Sequence, residues 1–211
     1  MLIEARAAGE TTIEGERLAG GVMIAAALLS VLAMGHHPSG AHATGGIGDY
    51  VHGAMIVLIS ALFFCFAKFA QRRGIARPLI LAGLVAYAIS LAAHIGAATI
   101  NGAIVPALAA SGHDALGHDI ALLCWEANQA LARMGVYATG TAFACWSADL
   151  ILRGGTANRI LGVAGLLAGV GPMIAIGGGL ASMDLAGAMA IYAVHGLWAA
   201  LIGIQFIRRA L

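Results

Sequence analysis

Charge is scarce in this 211-residue chain: Asp, Glu, Lys and Arg make up only 10% of it, against roughly 25% in a soluble domain. So few charges cannot dress the surface of a water-soluble globule. Disorder needs the opposite composition, and an apolar fraction of 61% excludes it. Lysine is nearly missing, since Lys68 stands alone, and no Walker-type phosphate loop is present. Neither a Gly-x-Ser-x-Gly elbow nor a His-Glu-x-x-His zinc pair occurs. The net charge of +1 leaves no basic face for nucleic acid. Cysteine is limited to Cys65, Cys124 and Cys145, all inside apolar runs. They read as small buried hydrophobes without a disulfide framework. No Cys-x-x-Cys-His is present, which excludes covalent c-type haem attachment.

What the sequence does contain is long apolar runs. A membrane-crossing helix needs about 20 apolar residues. Six segments qualify: 18–34, 51–70, 79–101, 120–151, 160–177 and 186–207. The runs are continuous and rich in Ala, Leu, Ile and Gly, unlike the alternating ten-residue strands of a membrane barrel. The predicted fold is an all-α bundle of six transmembrane helices in one domain, residues 18–211, with the lipid bilayer as its surroundings. Residues 1–17 read as a short cytoplasmic segment. Ala41-His42-Ala43 has the shape of a cleavage site, but the region before it is long and acidic, unlike a signal peptide.

The distribution of cations sets the orientation. With the N-terminus inside, Arg6, Arg17, Lys68, Arg72, Arg73, Arg77, Arg153, Arg159, Arg208 and Arg209 all fall on the cytoplasmic side. The outer connections carry no Lys or Arg. This bias predicts both termini in the cytoplasm, as in a bacterial inner membrane. The remaining cation, Arg133, lies within the fourth span.

That topology collects the chemistry in the outer half. All eight histidines fall there. His36, His37 and His42 lie in the first outer loop, His52 heads the second span, and His113 and His118 precede the fourth. His94 and His195 come from different spans at similar depth. Asp119, Glu126, Gln129, Arg133 and Tyr137 are spaced seven, three, four and four residues apart, which places them on one helical stripe. Ionisable groups at membrane depth normally face the bundle interior. The stripe, with Trp125, is therefore expected to line an internal cavity, Glu126 and Arg133 being linked through Gln129 or a ligand, or else each meeting a partner on another helix.

Neutral imidazole ligates transition metals and haem iron. His94 and His195 are thus the expected ligands of a haem b or of a copper, iron or zinc ion. His52, His118, His36, His37 and His42 are further candidate metal ligands. With no His in the inner half, at most one haem is expected, near the outer face. A redox role with a quinone or a periplasmic partner would follow. The alternatives are a small-solute or proton-coupled transporter, or an accessory subunit of a larger membrane complex. The Gly165-x-x-x-Gly169 step suits close helix approach, within the chain or, as a second use, between copies in a homo-oligomer. The triplets Val51-His52-Gly53 and Val194-His195-Gly196 hint at a duplicated hairpin.

Overall fold

The continuous apolar runs fold into helices. The structure, a computed structural model, describes residues 2–37, 47–110 and 114–208, with side chains for 14–37, 50–110 and 119–208. The helices are α1 (Leu2–Gly35), α2 (Ile47–Arg73), α3 (Pro78–Thr99), α4 (Val105–Ala110), α5 (Asp114–Arg153), α6 (Thr156–Gly177) and α7 (Leu185–Arg208). One π-helical turn, Ile100–Ile104, joins α3 to α4. The first helix begins at Leu2, so the segment before residue 18 is the first turns of the same rod. The third span likewise runs past Asn101 to Ala110.

Local chemistry sets the breaks. Gly74 ends α2 at φ 93°, a conformation open to glycine at little cost. Pro78 opens α3 from the first helical position, where its missing N–H costs nothing. Gly179, at φ 69°, follows α6. Asp184 caps α7, its Oδ1 accepting from the Gly187 N–H at 2.8 Å.

Five stretches are long and apolar enough to cross a membrane: 14–35, 50–73, 78–110, 156–177 and 185–208. The fourth span expected from the sequence is the exception. It forms a 40-residue helix, α5, but Asn128, Gln129, Arg133 and Asp149 dilute its apolar character. It nevertheless packs between α3 and α6. Asn128 donates to the Ala97 carbonyl at 2.8 Å, and Trp146 donates to the Ile80 carbonyl at 3.2 Å. Two contacts this far apart along both helices place α5 beside nearly the whole of α3.

Glycines let the helices close. The Trp146 ring occupies the space where a side chain at Gly83 would stand, and Trp198 does the same at Gly165. Each Trp N–H then reaches a carbonyl one turn earlier on the receiving helix, Ile80 for Trp146 and Leu161 for Trp198. The pair α3/α5 and the pair α6/α7 therefore share one packing device, a different correspondence from the histidine triplets noted in the sequence. Gly20 and Gly203 bring the backbones of α1 and α7 together. Gly165 and Gly169 are both buried against α5 and α7. That glycine face is used for packing inside the chain.

Aromatic residues form only 6% of the chain, yet they concentrate in one layer. Phe66 stacks on Trp146 at 4.9 Å and on Trp198 at 6.0 Å. Phe143 lies 4.2 Å from Trp198, and Phe69 touches both Trp146 and Phe206. All of these side chains are essentially fully buried.

Candidate functional site

Five helices, α1, α2, α3, α5 and α7, surround a cavity of about 40 Å³ next to this aromatic layer. Phe66, Phe143 and Tyr87 contribute to its lining, and so do His94, His195, Ser90, Thr139 and Tyr192. A buried water needs about 10–15 Å³, so the cavity has room for a few waters or one ion.

His94 is oriented by its own helix. Its Nδ1 lies 2.9 Å from the Ser90 carbonyl and 3.1 Å from Ser90 Oγ. A proton on Nδ1 donated to that carbonyl leaves Nε2 as the acceptor nitrogen. The Ser90 hydroxyl donates to the Gly135 carbonyl at 3.0 Å and lies 2.6 Å from Thr139 Oγ1. These bonds lock α3 to α5 beneath the imidazole. Tyr192 meets the His94 ring edge-on at 5.7 Å.

His195 comes from α7. Its ring is hydrogen-bonded to the Ala168 backbone on α6 and packs edge-on against Phe143 at 5.2 Å. Its Nε2 is buried and has no hydrogen-bond partner. Buried polar atoms are rarely left so, and an orphan imidazole nitrogen beside a cavity marks the place where a ligand, a water or an ion belongs. The structure thus brings His94 and His195, expected to share a layer, to one cavity.

The stripe on α5 does not join them. Asp119, Trp125, Glu126, Arg133 and Tyr137 are all exposed on the outward side of the helix. The spacing does produce one stripe, but the buried face of α5 is the neighbouring one, carrying Asn128, Ala132, Val136, Thr139 and Phe143. Small and aromatic side chains that fit α3 and α6 decide which face turns inward. Gln129 sits on the buried edge and donates to the Met183 carbonyl at 3.3 Å. It ties α5 to the segment before α7 and does not bridge Glu126 to Arg133.

The other histidines divide. His37 Nε2 and His52 Nε2 lie 3.0 Å apart, edge to face. His52 is buried and seated on Gly102, where a Cβ would meet its own Cβ at 2.5 Å. His36 is exposed, and its Nδ1 bonds back to the Leu32 carbonyl at 2.8 Å. His42 and the side chain of His118 lie outside the described residues. Among the described residues no group of three or more His, Cys, Asp or Glu side chains is placed to hold a metal ion.

One feature escapes sequence reasoning altogether. Asp149, only 1% exposed, receives two hydrogen bonds from Arg73, Nε at 2.9 Å and Nη2 at 2.5 Å, both on Oδ2. Arg153 Nε and Arg77 Nη1 approach Oδ1 at 3.5 and 3.7 Å. The available signal was positional: Asp149 is the only acid between Glu126 and Asp184, four residues before Arg153.

The residues present fit an ion better than a haem. A cofactor-sized ligand fills a pocket of roughly 300 Å³ or more, far beyond the space between His94 and His195. His94 and His195 each have a ring bonded to backbone and line one cavity, so a metal ion there would find at most these two imidazole donors. Comparison with known protein families, curated proteins and solved structures gives no match to the chain.

Proposed function

We propose that the chain is a six-crossing integral membrane protein, with both termini in the cytoplasm of a bacterial inner membrane, that binds one transition-metal ion between His94 Nε2 and His195 Nε2. The observation that carries this reading is the buried Nε2 of His195, which has no hydrogen-bond partner, on a residue that lines the same cavity as His94. The set has two nitrogen donors and no anionic one. A dication would leave its charge uncompensated at depth, a cost the bundle does not offset. Imidazole suits copper, and monovalent copper fits low coordination and low charge best. The aromatic layer below the cavity favours loading from the face bearing His37 and His52.

Six crossings are supported by the position of α5 along α3 and by the Lys/Arg asymmetry. The test of topology is labelling of single cysteines on a background lacking Cys65, Cys124 and Cys145. Cysteines at Ala43 and Ser111 are expected to react from outside, and those at Gly74 and Ala157 to remain unlabelled. Reaction at Gly74 would overturn the orientation.

A second reading is a hydrated pocket that relays protons or holds a small polar solute. The Thr139–Ser90–His94 hydrogen-bond chain favours it. Metal analysis of untagged protein separates the two. Near-stoichiometric copper that is lost in His94→Ala and in His195→Ala supports the ion. Metal-free protein after confirmed copper supply leaves the hydrated pocket.

A further inference from the structure

The charge balance around Asp149 is unequal in a way its own pairing does not use. Arg73, Arg77 and Arg153 converge on one carboxylate. The sum of three guanidiniums and one carboxylate is +2 at this spot. Arg73 is buried and holds Asp149 by two short bonds. The other two arginines share Oδ1 at ion-pair distance without a hydrogen bond to it. Their side chains are 43% and 59% exposed. Arg72 takes no part, being paired with Glu16.

Geometry holds the two exposed guanidiniums close together. Both lie within 4 Å of the same oxygen atom. Arg77 is placed by the turn at Gly74: its N–H donates to the Gly74 carbonyl at 3.0 Å, and its side chain packs over Gly74. Arg153 is placed by the end of α5, one turn after Asp149. A guanidinium has five donors in a planar fork that matches phosphate oxygens. Most donors of this pair remain uncommitted.

What surrounds the pair identifies the source of the phosphate. Leu152, beside Arg153, is 70% exposed, and Leu81, one turn beyond Arg77, is 47% exposed. Exposed leucines directly along the bundle from two unsaturated arginines fit an amphiphile, with its phosphate at the helix ends and its acyl chains on the helix sides. Basic pockets between helix ends bind anionic headgroups in this way.

We infer that Arg77 and Arg153, held together by Asp149, form a site for the phosphate group of an anionic phospholipid. The site is independent of the histidine cavity and does not rest on metal binding. The test uses the full chain in nanodiscs of phosphatidylcholine doped with phosphatidylglycerol, with retained lipid read by native mass spectrometry. Phosphatidylglycerol is expected to be retained over phosphatidylcholine. The double variant Arg77→Gln/Arg153→Gln should weaken that retention about tenfold, while Arg208→Gln should leave it unchanged. Arg77→Lys/Arg153→Lys keeps the charge but loses the fork and should fall between them. Both double variants leave the Arg73–Asp149 pair intact, and circular dichroism checks the fold. Equal retention of the two lipids, or retention unaffected by Arg77→Gln/Arg153→Gln, overturns the proposal. Displacement of the bound lipid by millimolar inorganic phosphate would show a site for free anions and overturn the lipid assignment.

Discussion

The imidazole of His94 rests against the bare backbone of Gly135: a Cβ at residue 135 would stand 2.5 Å from its Cε1 and 2.7 Å from both ring nitrogens. The ring has this position only because residue 135 has no side chain. Overpacking of this kind costs about 1–3 kcal/mol. Gly135→Ala is therefore expected to lower stability by about that amount and to turn His94 away from the cavity, reducing the copper that the proposed site would bind. Gly171→Ala, where nothing lies within 4 Å, should leave both unchanged. Unfolding in detergent and metal content check the two effects together.

The Arg73–Asp149 pair predicts a second result. Asp149→Asn leaves a buried guanidinium without its counter-charge, and breaking such a pair costs about 3–5 kcal/mol. Arg73→Met strands the carboxylate and should cost a similar amount. The double variant is expected to be more stable than either single one, as measured by denaturant unfolding. A double variant as unstable as the sum would show that the two side chains act separately.

Glu126 and Arg133 predict the opposite pattern. Both are exposed on the outward side of α5, without an ion pair between them among the described residues. Glu126→Gln and Arg133→Met should therefore act additively within about 0.5 kcal/mol. A larger coupling in detergent would mean that the two charges meet through something these helices alone do not supply.

A pH effect is expected at the start of α7. The Gly187 N–H and the Ser182 hydroxyl bond to the Asp184 carboxylate and hold it below the ordinary Asp value of 3.8. A carboxyl group with a depressed folded-state value binds protons more readily when unfolded. Its contribution is full above the unfolded value and is lost as pH falls through the folded one. Wild-type melting temperature should therefore drop in that acid range by more than that of Asp184→Asn. Equal acid slopes would contradict the cap.

The helices were legible because apolar runs of this length have few other uses. The limits of the third span were not, since the run through Asn101, Gly102 and Pro106 looks like a turn and instead carries the π-helical step into α4. His94 and His195 could be matched for depth by counting residues. Their hydroxyl partners could not: Ser90 and Thr139 lie 49 positions apart, and lone Ser and Thr in apolar helices are too ordinary to single out. The polar stripe on α5 was visible, but its direction was not. Helical spacing fixes which residues share a face, whereas the packing of Ala132, Val136 and Phe143 against neighbouring helices fixes where that face points. Asp149 was hidden by the arginines around it, which read as loop charges that orient the chain.

The composition of α5 bears on how the chain enters a membrane during synthesis. One Asp or Arg at a helix centre opposes insertion by about 2.5–3.5 kcal/mol, and α5 carries Glu126, Arg133 and Asp149 with Asn128 and Gln129. The hydrogen-bond partners of three of these groups are on neighbours made at different times: Ala97 and Arg73 earlier, Met183 later. With α2 and α3 already in place, Asn128 and Asp149 have partners as α5 emerges, while Gln129 waits for the chain leading into α7. On the proposed six-crossing topology, insertion of α5 is a cooperative step that depends on the helices before it, and truncation before residue 183 removes the partner of Gln129.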